Sequence, residues 1–537
     1  MIIILYSACT SNKQQVDLIL FNTKAYTVDK DFSAKDCIVI DSGRIVATGT
    51  KEELFSKFKA KECIDLKGKF VYPGFIDAHC HFYGYAIDRL QADFTGTKSF
   101  NDVLTILEEF NIKRQSKWLT GRGWDQNDWT VKEFPDNKKL DSVFKNTPVL
   151  ITRIDGHAAL ANSLALKLAG ITNNTKVEGG KILLENGELT GIIIDNAIDL
   201  MKNIIPKPSS IENASALIDA AKQCFSVGLT SIGDAGLDKD IIQLIDSLQK
   251  NGDLKMKVYA MLSANEDNFN TFLYKGIYKT LFLNVRSVKL FSDGALGSRG
   301  ACLLKPYSDQ PDNYGLMVNK IAYYKDICSK ALKYGYQVNT HAIGDSAVRV
   351  ILDVYGEFLK GKNDFRWRIE HSQVVHPSDL SKYAKYSVIP SVNTVHATSD
   401  MYWAEKRLGN KRVKYAYAYK NLLDQNDWLC NGSDFPVENI NPLYGFYAAI
   451  SRKDLEGFPS NGFQKENAIS RTEALKAMTI WAAKSFFEEN EKGSIEHGKY
   501  ADLVILDKDI MSAPENEIPS AKVIMTFVNG VIVYSSQ

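Results

Sequence analysis

The sequence of 537 residues lacks the features that mark several large classes of protein. Its eight cysteines are scattered without a Cys-x-x-Cys pair, which argues against a structural zinc knuckle and against a disulfide framework. The 65 lysine and arginine residues nearly balance the 64 acidic residues, and no basic cluster is interleaved with aromatic residues. Nucleic acid is therefore not expected as a partner. No run approaches the roughly 18 apolar residues of a membrane helix.

The N-terminus permits two interpretations. Residues 1–9 form an apolar run that is too short to span a bilayer, and residues 6–9 resemble a bacterial lipoprotein box that ends in Cys9. Residues 10–15 are polar and would form a tether. Either a lipid on Cys9 anchors the chain to the cell envelope, or this segment is the disordered start of a cytoplasmic enzyme. A lipid on Cys9 is the only membrane attachment that the sequence predicts.

Both ends of the chain predict β-structure. Short apolar runs separated by turns fill residues 16–70, and the same pattern returns in residues 490–537. Short strands need partners to bury one face, so we expect the two ends to combine into one small β-sandwich. Residues 71–489 then form a second domain. The interval at about residues 84–204 is too long for one strand–helix step, so we expect a β-rich insertion there, with a hairpin at residues 179–188.

Eight apolar, strand-like runs recur in the chain between the two ends, and each carries polar side chains at its C-terminal end. The runs are residues 73–81, 148–153, 229–234, 288–294, 337–341, 367–371, 386–393 and 428–434. Helical patterns separate them, which is typical of α/β proteins. A (β/α)8 TIM-type barrel has its active site at the C-terminal ends of its strands. We therefore predict this barrel, with a doubly wound open sheet as the weaker alternative.

Four of the eight histidines fall at the ends of these runs. His79 and His81 are two residues apart on a strand, so their side chains point to the same face and can share one metal ion. His341 and His371 end two further strands, and Asp434 ends the last one. Imidazole and carboxylate ligands together suit zinc. Asp434 could also accept the proton of a metal-bound water, because the ion lowers the pKa of that water.

Several motifs make a family resemblance specific. They are Pro73-Gly74-x-x-Asp77-x-His79-x-His81, Gly123-Trp124-Asp125-Gln126, Val288-Lys289-Leu290-Phe291-x-Asp293-Gly294, Arg366-Trp367-Arg368-Ile369-Glu370-His371-Ser372-Gln373 and Ser433-Asp434-Phe435-Pro436-Val437. The sequence resembles the amidohydrolase superfamily over nearly its whole length. Within that superfamily it is similar to amidohydrolase family 3, the YtcJ-like group that includes the N-substituted formamide deformylases.

The resemblance implies a set of metal ligands: His79, His81, Lys289, His341, His371 and Asp434. The first two histidines and Asp434 would hold one divalent metal, and the other two histidines would hold a second. Lys289 would bridge them as N6-carboxylysine, because an unmodified ammonium cannot bind a cation. In the alternative, a single metal lies beside an unmodified Lys289 that pairs with a carboxylate such as Asp293. Zinc is expected, although iron or manganese would also fit these ligands.

His157 and His396 are the other predicted catalytic residues beside Asp434. They follow the second and the seventh predicted barrel strand, so both are expected to face the barrel mouth and to contact the substrate or an oxyanion. In the family the stretch before His396 usually reads Gln-Pro. Here it is Asn393-Thr394, so the floor of this pocket is expected to differ from that of the relatives.

The resemblance implies a hydrolase that acts on a small molecule. We expect a metal-activated hydroxide to attack the carbonyl carbon of an amide, an N-formyl or N-acyl group, or a cyclic amide, with Asp434 as general base. The same ligand set could serve a deaminase or an esterase. A cell-envelope binding protein that has lost catalysis is a further alternative, which the intact ligand set disfavours. The chain could also form a homodimer.

Overall fold

The structure is a computed structural model that describes residues 13–114, 117–154, 156–177, 180–195 and 197–536. Cys9 and the lipoprotein box lie outside the described residues, so the lipid anchor and the localisation remain predictions. Among the helices of the described ranges, we find none that combines the length and the apolar character needed to cross a membrane.

The strands of the described residues are numbered in chain order. They are β1 (Gln14–Tyr26), β2 (Ala34–Asp41), β3 (Arg44–Gly49), β4 (Phe58–Pro73), β5 (Phe75–Cys80), β6 (Ala92–Asp93), β7 (Leu119–Trp124), β8 (Val149–Arg153), β9 (Ala158–Ala161), β10 (Gly180–Glu185), β11 (Glu188–Asp195), β12 (Leu229–Leu237), β13 (Lys257–Ser263), β14 (Tyr278–Lys279), β15 (Leu283–Phe291), β16 (Gln337–Ala342), β17 (Arg368–His371), β18 (Ile389–Val392), β19 (Cys430–Asn431), β20 (Leu503–Leu506), β21 (Val523–Val528) and β22 (Val531–Ser535).

The α-helices of the described residues are numbered in the same way. They are α1 (Lys51–Lys57), α2 (Phe82–Asp88), α3 (Phe100–Arg114), α4 (Lys138–Val143), α5 (Ser163–Leu168), α6 (Ala197–Lys202), α7 (Ser210–Ser226), α8 (Lys239–Lys250), α9 (Glu266–Thr271), α10 (Ile321–Tyr334), α11 (Asp345–Leu359), α12 (Leu380–Tyr386), α13 (His396–Arg412), α14 (Tyr419–Asn426), α15 (Pro442–Ser451), α16 (Arg471–Ala477) and α17 (Ile480–Ser485).

Local sequence signals begin and end several helices. Asn441 precedes α15 and its side chain accepts a hydrogen bond from the backbone N–H of Leu443, which satisfies one of the free donors of the first turn. Ser470 and Glu473 form a reciprocal capping box at the start of α16. The helix α10 ends at Gly335, whose φ of 74° lies in the left-handed region that glycine adopts without strain.

The chain divides into two compact units, one made of Met1–Tyr83 with Ile218–Gln537 and the other of Gly84–Leu217. In the first unit, strands from both ends of the chain form one seven-stranded sheet in the order β22-β21-β20-β4-β1-β2-β3. The two ends meet where β20 pairs antiparallel with β4. Apolar residues of this sheet form one buried cluster, to which β1, β2 and β20 contribute Leu20, Ile38 and Ile505.

The rest of the first unit is a barrel. Its eight parallel strands follow the order β19-β18-β17-β16-β15-β13-β12-β5. Close to the gap between β19 and β5, the N–H of Asp434 donates to the carbonyl oxygen of His79 at 2.8 Å, and the N–H of His81 donates to that of Phe435 at 2.8 Å. The predicted (β/α)8 barrel is confirmed.

One predicted barrel strand is wrong. The run at residues 148–153 forms β8, which lies in the six-stranded sheet β10-β11-β9-β8-β7-β6 of the Gly84–Leu217 unit and pairs antiparallel with β9. The eighth barrel strand is β13 instead. Its last residues are Met261, Leu262 and Ser263, so its C-terminal end carries no ionisable side chain of the kind that drew attention to the other strands. In the Gly84–Leu217 unit, β10 and β11 form the predicted hairpin, an antiparallel pair in which Glu185 faces Glu188.

Candidate metal centre

Three predicted ligands converge where the barrel closes. His79 lies on β5, His81 follows that strand directly, and Asp434 follows β19. One ligand atom from each of these side chains lies within 4.8 Å of the other two. Asp434 Oδ1 is 3.4 Å from His79 Nε2 and 3.3 Å from His81 Nε2. Asp434 has a φ of 65°, so the backbone leaves the extended conformation at the residue that turns its carboxylate toward the histidines.

Asp77 fixes the relative position of the two segments that carry these ligands. Its carboxylate accepts hydrogen bonds from the N–H of His79 at 3.1 Å, and from the N–H at 3.0 Å and the hydroxyl at 2.6 Å of Ser433. Burial raises the pKa of Asp77 to about 6 although these hydrogen bonds oppose the shift. The aspartate of the Pro73–His81 motif thus joins β5 to the segment after β19.

A second pair of histidines lies beside the first group. The ring of His371 is 4.6 Å from that of His341 and 5.0 Å from that of His79, measured between centroids. His371 Nδ1 is 2.8 Å from Asn393 Oδ1, an interaction that needs the proton on Nδ1 and leaves the lone pair on Nε2. Burial lowers the pKa of His371 well below its ordinary value and that of His341 to about 3. Both rings are therefore neutral at pH 7, and each has a nitrogen lone pair that could bind a metal.

Lys289 on β15 lies next to these histidines. Its Nζ is 3.3 Å from His79 Nε2, and burial lowers the pKa of its ammonium to about 8. The acidic groups that act on Lys289 are Glu370 and Asp434. Asp293, the partner considered for an unmodified lysine, accepts hydrogen bonds from the N–H groups of Cys302, Ile343 and Gly344. One of its oxygens is also 3.5 Å from the Nε2 atom of the histidine on β16.

Three polar atoms of this group are buried without a hydrogen-bond partner among the described residues: Asp434 Oδ1, His341 Nε2 and His396 Nε2. Most buried polar atoms have a hydrogen-bond partner, so three such atoms on neighbouring imidazole and carboxylate groups are compatible with a bound group that the side chains do not supply. A carboxylate oxygen and imidazole nitrogens are ligands for divalent metals such as zinc. The donor set therefore fits a metal ion.

Asp434 and His396 face each other at this group. Burial alone would raise the pKa of Asp434, but its side-chain interactions with His79 and His81 hold it well below the ordinary value. His396 begins α13, and its Nε2 is 3.9 Å from Asp434 Oδ2. Its ring lies parallel to that of His371, with 5.9 Å between centroids. His396 thus lies where the seventh predicted strand, now β18, delivers it.

Glu370 received no role from the sequence, yet it holds His79 in place. Its Oε2 is 2.6 Å from His79 Nδ1, and its Oε1 is 2.8 Å from Arg368 Nε. All three side chains are buried. Arg368 and Glu370 are two residues apart on β17 and so share its inner face. Glu370 could have been recognised from the sequence, because charged residues alternate in an otherwise apolar strand and buried charges require partners.

His157 lies in the other compact unit, on the segment between β8 and β9. Its Nδ1 is 2.9 Å from Asp195 Oδ1, and the imidazole is exposed. Its predicted place at the barrel mouth required residues 148–153 to be a barrel strand, but they form β8 of the six-stranded sheet. Its catalytic role remains a prediction without that support.

The chain is similar to known proteins over nearly its whole length. A model described as Amidohydrolase family matches residues 62–534. The chain is 32% identical to Protein LONG AFTER FAR-RED 3 of Arabidopsis thaliana, over 96% of this chain and 91% of that protein. It is 27% identical to the N-substituted formamide deformylase of Arthrobacter pascens, over 97% and 99% of the two chains. The crystal structure of an uncharacterized metal-dependent hydrolase from Pyrococcus horikoshii is similar with a TM-score of 0.78 and 28% identity, and the match covers 93% of this chain and 99% of that chain.

Proposed function

Because this chain belongs to the amidohydrolase family, whose structural relatives include metal-dependent hydrolases, we propose that it hydrolyses a carbon–nitrogen bond in an amide, an N-formyl or N-acyl group, or a cyclic amide. The similarity to an N-substituted formamide deformylase over 97% of the chain supports this bond type. The observation that carries the proposal is the buried carboxylate of Asp434, whose Oδ1 lies beside two histidines and lacks a hydrogen-bond partner within the described residues.

In this proposal His79, His81 and Asp434 hold one divalent metal, while His341 and His371 hold a second. When bound, zinc at this site would lower the pKa of a water molecule and polarise the carbonyl oxygen of the substrate. The neutral state of the second pair of histidines favours this role, since a protonated imidazole cannot ligate a cation.

Asp434 is the general base. Its low pKa keeps it ionised at neutral pH, so it can accept the proton of the water whose oxygen attacks the carbonyl carbon. The same proton then passes to the nitrogen as the carbon–nitrogen bond breaks, which releases an amine and a carboxylic acid. His396, with an unsatisfied Nε2 at 3.9 Å from Asp434 Oδ2, can donate a hydrogen bond to the oxygen of the tetrahedral intermediate.

Lys289 becomes an N6-carboxylysine in the binuclear form of the proposal. The modification joins the uncharged amine to carbon dioxide, and burial favours the uncharged amine by lowering the pKa of Lys289 to about 8. The product is an anion at the position beside His79 Nε2, where an ammonium would repel a cation. In the mononuclear alternative Lys289 keeps its charge and the chain holds one metal.

Metal analysis, intact mass and substrate screening on the same preparation test the proposal. We expect about two divalent ions per chain, a mass increase of one carbon dioxide at Lys289 under conditions that preserve it, and turnover on at least one member of an N-formyl, N-acyl and cyclic amide panel. One ion per chain with an unmodified lysine would contradict the binuclear form. An ester and an aminopurine are screened beside this panel, and turnover confined to either of them would contradict the bond type.

Lys289→Ala provides the matched variant. It should contain fewer ions than the wild type, and bicarbonate with a short carboxylic acid should restore part of the difference, because the acid can occupy the place of the lost carboxylate. The wild type in the same buffer is the control for ions bound by the acid itself. If the variant retains the full metal content without the acid, Lys289 does not bridge the ions.

A further inference from the structure

Phe291 is an exposed aromatic residue at the candidate metal centre. It ends β15, and 46% of its surface is exposed. Its ring centroid is 5.7 Å from that of His341, its neighbour on β16, and 5.0 Å from Lys289 Nζ. Lys289 lies over the ring as in a cation–π contact, and the exposed part of the ring lies beside the candidate ligands.

The geometry of β15 places this ring on the inner face of the barrel. Side chains two residues apart on a strand point to the same side, so Ser287, Lys289 and Phe291 share one face. Along that face the exposed fraction rises from 0% through 2% to 46%. The alternate residues Val288 and Leu290 point to the other side and are buried. Phe291 therefore stands one layer above Lys289, where the interior of the barrel opens to solvent.

The backbone after Phe291 is bonded to a neighbouring segment. Val318 donates its N–H to the carbonyl oxygen of Ser292 at 2.9 Å, and 51% of its surface is exposed. The hydroxyl of Tyr324 donates to the carbonyl oxygen of Phe291 at 3.2 Å, which fixes the end of the strand. The exposed ring is thus held by ordered backbone rather than carried on a free loop.

Resting on the hydrolase function proposed above, we propose that Phe291 selects the substrate by packing against an aromatic or branched apolar substituent next to the scissile bond. A substrate with a methyl group there leaves the ring in water, whereas a phenyl group covers it and adds a ring–ring contact. The contact lies one residue layer from Lys289, within the reach of a substituent on the reacting group. Discrimination from such contacts is typically about tenfold or more.

Binding of paired ligands tests this inference without requiring turnover. Calorimetry would measure the affinity of the metal-loaded protein for N-phenylacetamide and for N-methylacetamide. We expect the wild type to prefer the phenyl compound by about tenfold or more, and Phe291→Ala to lose most of that preference. The matched control is Phe365→Ala, because Phe365 is 38% exposed and lies before β17, at the opposite end of the barrel.

Phe291→Leu guards against a folding defect in the alanine variant, since it keeps an apolar surface and removes only the ring. It should show an intermediate preference. An unchanged preference in both Phe291 variants, or an equal loss in Phe365→Ala, would overturn the inference. Kinetics on the same pair separates this result from the proposed function: hydrolysis without any effect of Phe291 contradicts only the inference, whereas a Phe291-dependent preference without hydrolysis of any amide contradicts only the function.

Discussion

At the N-terminal end of the barrel, Lys257 begins β13 and its ammonium lies 2.5 Å from Asp502, just before β20. Lys492 lies 2.6 Å from Glu488, and its Nζ also donates to Ser231 Oγ at 2.8 Å. All of these side chains are buried. Each buried charge at this end therefore has an opposite charge in contact, which is the arrangement expected of groups that join elements of the fold.

At the C-terminal end the buried polar groups are arranged differently. Asp434 Oδ1, His341 Nε2 and His396 Nε2 lack hydrogen-bond partners among the described residues, although all three atoms are buried. Evolution of stability alone would not favour such atoms, because an unsatisfied buried polar group costs free energy. Unsatisfied buried atoms also occur elsewhere among the described residues, as on Arg452, so neither burial nor a missing partner marks a site by itself. What distinguishes the C-terminal end is that its unsatisfied atoms belong to imidazole and carboxylate groups that lie together.

The largest effect is expected at the paired end, that is, the N-terminal end of the barrel, where each buried charge contacts an opposite charge. Lys257→Met leaves Asp502 buried without its counter-charge, so the free energy of unfolding should fall by about 3–5 kcal/mol in chemical denaturation. The metal content per folded chain should not change. The double variant Lys257→Met with Asp502→Asn removes both charges and should recover most of the loss. A single variant as stable as the wild type would show that this pair does not hold the fold.

At the other end, Asp434→Asn should affect catalysis rather than folding. Asparagine keeps the shape and one oxygen but cannot accept a proton at neutral pH, so kcat should fall on the order of 10²-fold or more. Asp345→Asn is the matched control, because Asp345 is equally buried but accepts a hydrogen bond from the N–H of Leu304 and has no predicted role. Near-normal turnover in Asp434→Asn on a substrate found by screening would exclude it as the base.

The sequence alone was sufficient for the parts of this comparison that depend on regular periodicity. The two-residue spacing of His79 and His81 required only the alternation of a strand, and their location at the C-terminal end required only the barrel. The structure indeed brings both to Asp434. Asn393 and Glu370 could not be assigned in this way, because their roles depend on which atom of a neighbouring ring each one reaches across the barrel.

The error in the strand list has a physical cause as well. Residues 148–153 and β13 are both short, apolar and β-branched or aromatic in part, and periodicity does not tell which sheet such a strand joins. Only partners distant in sequence decide that. β13 pairs with β12 and β15, whereas β8 pairs with β7 and β9. The position of His157, which depended on this assignment, changed with it.

The free energy of unfolding should depend on pH through a buried histidine at the C-terminal end of the barrel. In the metal-free protein, burial lowers the pKa of His341 from 6.5 to about 3. Below pH 6.5 the unfolded chain takes up a proton that the folded chain does not, so the free energy of unfolding falls by about 1.4 kcal/mol per pH unit, or roughly 2 kcal/mol at pH 5. Above pH 6.5 this contribution disappears. His341→Gln, measured by denaturation from pH 4 to 8, should lack this part of the slope, and an unchanged slope would contradict the assignment.

Glu370 offers a smaller and more selective test. Its contact with His79 Nδ1 orients the ring so that Nε2 faces Asp434, and loss of such a support typically weakens metal binding about 10–100-fold. Metal affinity is measured by competition with a chelator. Glu370→Gln keeps a hydrogen-bond acceptor, so its loss of affinity should lie near the lower limit of this range, and the loss in Glu370→Leu should lie near the upper limit. Glu488→Gln, which changes a buried glutamate of the paired end, should leave metal affinity unchanged. Equal losses in both would mean that the effect is general destabilisation.

The smallest expected effect concerns metal retention in His396→Ala and His157→Ala. His396 Nε2 is 3.9 Å from Asp434 Oδ2, whereas His79 and His81 contact Oδ1, so the loss of His396 should lower turnover and leave the metal content unchanged. His157 is bound to Asp195 in the Gly84–Leu217 unit, and its substitution should likewise leave the metal content unchanged. Metal analysis of both folded variants checks this. A lost ion in His396→Ala would show that His396 is a metal ligand. A bound metal would then account for the missing hydrogen-bond partner of His396 Nε2, and the contrast between the two ends of the barrel would be sharper.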